Sequence, residues 1–273
     1  MVDRPFYKYY QDEKDDKISQ KIFIKFIVIF FIFYIFMMAV SFAFYQNFSY
    51  VTISGKSMQN TLNPNPVLVQ TEDGYDYLQD GVYIKHTQDV ERGDIIVIDT
   101  SSSKKKATII KRVIACEGDY FSIIQVGEEF RTVIVKANTN QVEVLEEEYI
   151  YSYEFWLDDV VDENGIGYER EFYLTFNDNP EYQSKSFTVK DIGQVEFYQV
   201  PENSVFALGD NRGASKDSRY YGCFDCQRID GKVVDIVKDG SAYKGNDFWW
   251  FNRAKGFFRV IWQEILHFFG SNG

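Results

Sequence analysis

Histidine and cysteine are scarce in this chain, with two of the first and three of the second among 273 residues. A Ser–His–Asp centre would have to recruit His86 or His267, and neither lies in a motif-like context. A hydrolase built on this sequence therefore needs another base. Three cysteines do not make a disulfide scaffold. Cys223 and Cys226 have CxxC spacing, but a structural zinc takes four ligands and no second pair matches them. They read as packed or free thiols, or as a local disulfide, and no metal or cofactor is implied. Basic charge is also short: 29 Lys and Arg face 41 Asp and Glu, a net charge of −12. Such a chain repels phosphates, which excludes nucleic acid as a partner.

Apolar and aromatic residues are plentiful, at 45% and 18%, enough for a packed core. One run stands out, Ile22 to Phe44, in which Lys25 is the only charge. A bilayer core takes about 20 apolar residues as helix, whereas the apolar region of a cleaved signal peptide is usually only about 7–15 residues long. A retained transmembrane anchor over 22–44 is the expectation. Arg4, Lys8, Lys14, Lys17, Lys21 and Lys25 precede or enter it, and the next basic residue is Lys56. The positive-inside rule then puts residues 1–21 in the cytoplasm and the rest outside, in a single-pass cell-membrane protein. The first 44 residues hold six basic and five acidic side chains, so the acidic excess belongs to the outer part.

Beyond the anchor, short runs rich in β-branched residues predict strands at Tyr50–Ile53, Val67–Gln70, Asp94–Ile98, Thr108–Ile114, Arg131–Val135, Phe187–Val189 and Lys232–Val237. Ser101–Lys106 reads as a solvated hairpin tip between two of them. No long helical period interrupts the region, so the fold class is mainly β, with an antiparallel core. Residues 120–190 are less regular and acidic, and they predict a smaller β-rich lobe inserted between core segments 45–119 and 191–245. The acidity there, Glu146-Glu147-Glu148 included, is read as solvated surface. Residues 246–273 change character. Trp250, Ala254, Phe257, Phe258, Ile261, Trp262, Ile265, Leu266 and Phe269 approximate helical spacing, giving an amphipathic helix that either lies on the bilayer or docks on the β core.

Three segments could carry chemistry. Ser54-Gly55-Lys56-Ser57-Met58 follows a strand, and a glycine two residues before a serine allows a tight turn that substrate can approach. Taken alone, this is an ordinary turn. Lys111 sits in the β-branched run Ile109–Ile114. An inward-facing Lys111 would lose hydration and become a neutral base, while an outward-facing one would be an edge-strand lysine that blocks aggregation. Gly209 to Gly222 is dense in polar residues and glycine, and Asp210, Arg212, Asp217 and Arg219 could pair charges to stiffen a loop.

In this order, the three segments resemble those of the type I signal peptidases, in the Gram-positive-like branch of that Ser–Lys protease family. Ser54–Leu62 is similar to the family's nucleophile box, Arg92–Val97 to its next strand, and Lys111–Asp119 to the base-bearing box. Gly209–Gly222 matches the pattern GDNRxxSxDSRxxG at all nine fixed positions. The resemblance implies a membrane-bound serine endopeptidase that removes signal peptides from exported preproteins, with the lipid bilayer as second partner. It implies Ser57 as nucleophile, Lys111 as general base and Ser215 as a hydroxyl that bonds and orients Lys111. It also implies the Ser57 backbone N–H as one oxyanion donor; Gly55 occupies the place where some members add a second. Ile53, Met58, Leu62 and Ile110 are implied to line small pockets for an Ala-x-Ala-like site. Asp210, Asn211, Arg212, Asp217 and Arg219 are implied to be structural supports. The sequence departs from the family at Asn60 and Glu117, where proline is usual, and in a long stretch at Thr71–Asp89. A self-cleaving Ser–Lys repressor and an inert tethered binding module are the rival readings. The anchor and the absence of a DNA-binding segment weigh against the first; intact Ser57, Lys111 and Ser215 weigh against the second.

Overall fold

β-branched and aromatic residues recur at short intervals after Asn47, and there the backbone of the computed structural model runs as strand after strand. The structure describes residues 5–64, 68–71, 74–77, 79–101, 107–127, 129–151, 175–177, 179–238, 257–262, 265–266 and 269. The chain forms two units, Met1–Asn47 and Phe48–Gly273.

The first unit holds one helix, α1 (Pro5–Asn47). Its stretch Ser19–Asn47 has a mean hydropathy of 2.7 and is long and apolar enough to cross a membrane. Ile22, Phe26, Phe33, Phe36 and Phe42 are among its many exposed side chains. A helix that is apolar all round requires an apolar environment.

In the second unit, the first sheet has seven antiparallel strands. Its order is β1 (Phe48–Thr52), β4 (Gly81–Lys85), β14 (Ile229–Val237), β5 (Ile95–Asp99), β6 (Thr108–Cys116), β12 (Ser204–Leu208) and β13 (Phe224–Asp225). The second sheet, also antiparallel, runs β10 (Ser184–Val189), β11 (Gly193–Gln199), β7 (Tyr120–Val126), β8 (Glu129–Val135) and β9 (Val142–Val144). A hairpin of β2 (Leu68–Thr71) and β3 (Gly74–Tyr77) stands apart. Each predicted strand has a counterpart here, shifted by a few residues. The ends of the β5–β6 hairpin are tied by Thr100 N–H donating to the Ala107 carbonyl (2.9 Å); its tip at 102–106 lies outside the described residues. Strand β11 belongs to the second sheet, so that sheet runs past residue 190 to Gln199.

A shared core joins the sheets. Ile114, Ala115, Phe206 and Leu208 of the first pack with Phe121, Ile134 and Tyr198 of the second. Phe121 stacks on Phe206 with ring centroids 3.9 Å apart. A separate cluster of Ile53, Met58, Leu62, Val82, Ile84, Val97 and Ile110 lies beneath the Ser57 turn. The three cysteines are free thiols, and Cys223 and Cys226 pack against different clusters.

Candidate active site

Ser57 is placed by the turn that leaves β1. Gly55 has φ +95°, a backbone region that glycine enters without steric penalty, and this swings the chain off the strand. Gln59 N–H donates to the Lys56 carbonyl (2.9 Å) and Leu62 N–H to the Met58 carbonyl (2.8 Å), winding residues 56–62 into a compact turn. Asp80 and Asn63 fasten its base. Asp80 N–H donates to Asn63 Oδ1 (2.6 Å), Asn63 N–H to Asp80 Oδ2 (2.9 Å), and Asn63 Nδ2 to the Ile53 carbonyl (2.9 Å).

Lys111 lies on β6, inside the first sheet, opposite Ile96 of β5. It is 2% exposed, so the edge-strand reading of this lysine does not hold. Its Nζ donates to Ser57 Oγ (3.0 Å) and to the Ile110 carbonyl (2.7 Å). Burial, the largest cause, pushes the amine pKa down; Asp217 raises it, Arg219 lowers it and Asp210 raises it, and the result is about 8. An amine in that range is neutral often enough to accept a proton. His86 is exposed and its Nδ1 lies 2.9 Å from the Asp230 carbonyl; His267 lies outside the described residues.

The Gly209–Gly222 segment begins where β12 ends at Leu208, opposite Arg112. It packs directly on the Ser57 turn, with Asn211 N–H donating to the Ser57 carbonyl (3.0 Å). All five expected supports are buried, but only one pair closes within the loop. Arg219 grips Asp217 (Nε–Oδ1 2.8 Å, Nη2–Oδ2 2.9 Å), and Asp217 also accepts from Gly209 N–H (3.0 Å). Asp217 caps the short helix α2 (Ser218–Tyr221). Asp210 instead takes Arg112 from β6 (2.9 and 2.7 Å) and the Thr61 hydroxyl (2.5 Å). Arg212 reaches Glu147 (2.5 and 3.1 Å) and Thr132 Oγ1 (3.0 Å).

Three expectations change on this geometry, and the two single-residue departures from the family pattern find their places. Glu147 is a buried carboxylate paired with a buried guanidinium, not solvated surface. Ser215 is buried, yet its Oγ has no hydrogen-bond partner, so the expected bond to Lys111 is not made; the amine bonds the Ile110 carbonyl instead. Ile53 and Ile110 line a cleft of about 150 Å³ with Ser54, Ser57, Val97 and Lys111, but Met58 and Leu62 do not line it and are core residues at 2% and 1% exposure. Asn60 has φ +84°, which proline cannot adopt, so the turn differs from a proline turn at that point. Glu117, the other departure, sits in a turn closed by Asp119 N–H donating to the Cys116 carbonyl (3.0 Å), and its carboxylate accepts from Asn203 N–H (2.9 Å).

Thr61, Asn63, Asp80, Arg112 and Glu147 were not singled out as site supports from the sequence. Arg112 alone had a local signal, its place beside Lys111. The others act across gaps of up to 149 residues, which periodicity does not report.

A serine hydroxyl set against a desolvated lysine amine on a mainly β scaffold defines a class, the serine–lysine hydrolases. Residues 23–237 match the family model for signal peptidase, peptidase S26, and the chain belongs to that family. It is 28% identical over 187 residues to signal peptidase I of Bacillus caldolyticus, covering 68% of this chain and 77% of that one. It is 26% identical over 200 residues to signal peptidase IB of Staphylococcus aureus, covering 71% and 80%. A crystal structure of signal peptidase I from Enterococcus faecalis aligns at 22% identity with a TM-score of 0.30, over 54% of this chain and 97% of that one.

Two outcomes follow from the packing. A Cβ at Gly209 would stand 2.5 Å from the Ser57 carbonyl oxygen and closer still to Ser215 Oγ. Gly209→Ala should therefore part the loop from the Ser57 turn and lower kcat/KM at least about 100-fold, as read by peptide cleavage. Glu147→Ala would strand the Arg212 guanidinium; urea unfolding should show a loss of about 3–5 kcal/mol, with Glu147→Gln losing less because it keeps an acceptor.

Proposed function

We propose that this chain is a membrane-bound endopeptidase that removes signal peptides from exported preproteins, with Ser57 as nucleophile and Lys111 as general base. The observation that carries the reading is the 3.0 Å contact between Ser57 Oγ and the Lys111 Nζ, with that amine buried and its pKa lowered to about 8. In the neutral state the contact reverses and the hydroxyl donates to the nitrogen lone pair. Ser57 Oγ attacks the scissile carbonyl carbon as its proton passes to Nζ. The Ser57 backbone N–H serves as one donor to the resulting oxyanion. As the C–N bond breaks, Nζ returns the proton to the leaving amine, and an ester to Ser57 remains. Water, deprotonated by the same nitrogen, then hydrolyses the ester.

The cleft between β1 and β6 suits small side chains, with Ile53 and Ile110 on its walls. That chemistry fits an Ala-x-Ala-like cleavage site. Asp210, Asn211, Arg212, Asp217 and Arg219 serve as structural supports, and Ser215 orients the amine after a χ1 rotation that carries its Oγ toward Nζ. The catalytic unit comprises both sheets, tethered by a single span with its short N-terminus in the cytoplasm. Tethering holds the site beside membrane-bound substrate and raises the effective concentration.

Ser57→Ala and Lys111→Met should each abolish preprotein cleavage, by at least about 10³-fold, and the double variant should be no worse than either, because the pair acts as a unit. Full activity in either single variant would sink the mechanism. The pH profile follows from the sign of the shift: kcat/KM should fall about tenfold per pH unit below about pH 8, where Lys111 is an ammonium, and level off above it. A steady-state profile in detergent or vesicles reads this directly.

A further inference from the structure

The C-terminal helical residues are docked on the β core and yet leave large apolar side chains exposed. Residues 257–262, 265–266 and 269 are helical. Val260 is fully buried, and Arg259 Nη1 pairs with Asp235 Oδ2 of β14 (3.2 Å). Phe258, Trp262, Ile265, Leu266 and Phe269 are 40–72% exposed. On a helical wheel at about 100° per residue these five positions fall within an arc of about 100°, with Val260 on the opposite side. Among the other described residues of the second unit, the exposed large apolar side chains, Val126, Val144, Tyr151, Ile192 and Tyr221, are scattered over separate elements. Scattered apolar residues need no explanation, but a contiguous stripe does.

The docking point indicates what covers it. Asp235 stands opposite Tyr83, and Tyr83 stands opposite Tyr50, two residues from Phe48. Strand spacings of about 4.8 Å and a rise of about 3.4 Å per residue put Asp235 about 12 Å from Phe48. Phe48 follows Asn47, the last residue of the apolar stretch Ser19–Asn47, with no linker. The helix is therefore anchored close to the point where the chain would leave a bilayer.

We propose that this stripe lies in the headgroup–acyl boundary of the same bilayer, as a second membrane contact that sets the height and tilt of the catalytic unit. The inference rests on the membrane-anchored reading above. Trp262 and the phenylalanines suit that depth. The five side chains of the stripe carry no charge, so the contact is apolar, occurs on zwitterionic lipid and resists salt.

The test uses the full chain reconstituted in phosphatidylcholine vesicles whose acyl chains carry bromine. Subtracting the emission of Trp262→Phe from that of the parent isolates Trp262. Expected is at least about twofold quenching of that component by bromolipid, unchanged by salt, with little quenching by aqueous iodide. A Phe258→Ser, Phe269→Ser double variant should reverse the pattern. Quenching of Trp262 by iodide and not by bromolipid would overturn the proposal. So would quenching by neither together with a dimer in detergent, which would put a second copy on the stripe. The readout works equally in a Ser57→Ala chain, so a failure of the peptidase mechanism would not be mistaken for a failure here.

Discussion

The cost of taking the Lys111 ammonium out of water governs the design of this site. A lysine in water is charged throughout the neutral range and cannot accept a proton. Placing it on β6, inside a seven-stranded sheet, removes hydration and brings its pKa to about 8. Nearby carboxylates work against that. Asp217 and Asp210 both favour the ammonium, and unpaired they would restore it. Each is held by its own guanidinium, Asp217 by Arg219 and Asp210 by Arg112. The loop charges thus steady the turn without returning the Lys111 amine to its ordinary pKa.

The same constraint explains the second sheet. Arg212 is fully buried at the loop's centre and needs a buried anion. Glu147, just after β9, and Thr132 on β8 supply the acceptors. Tyr149 donates to Glu147 (2.8 Å), and its ring sits 4.0 Å from the Arg112 guanidinium carbon. A continuous set of contacts therefore runs from the second sheet through the loop to the strand that bears Lys111. Among the described residues, the polar contacts of the second sheet reach the Lys111 strand through Arg212, Tyr149 and Arg112.

Departures from the family pattern are absorbed locally. Asn60 takes a left-handed backbone, a conformation that asparagine tolerates better than most residues. Glu117 replaces a stiff turn residue with a carboxylate that ties the turn to Asn203. Among the described residues, neither hydrogen-bonds Ser57 or Lys111. The orphaned Ser215 Oγ stands against Gly209, where the lack of a side chain lets the loop and the Ser57 turn meet. A buried hydroxyl without a partner has an unmet bond to make, and the amine beside Ser57 is chemically suited to it.

Much was legible from local pattern. The apolar run before Asn47 dictated a helix, β-branched runs marked seven strands, and the nine-position loop pattern with Ser57 and Lys111 marked the site. These signals are short-range, set by side-chain shape and spacing. Strand β12, Ser204–Leu208, gave no comparable signal although it launches the loop, because its identity depends on pairing with β6 and β13. Alternation could not place Lys111 in the interior, since burial along β6 does not alternate: Ile110 and Lys111 are both buried, as are Val113, Ile114 and Ala115. Glu147 looked like surface because a carboxylate's burial depends on a partner 65 residues away. The sequence by itself determined which residues could react and where the chain could span a membrane. Tertiary structure alone decided the state of the amine and the partners of the loop charges, because desolvation and ion pairing are properties of what surrounds a group in space.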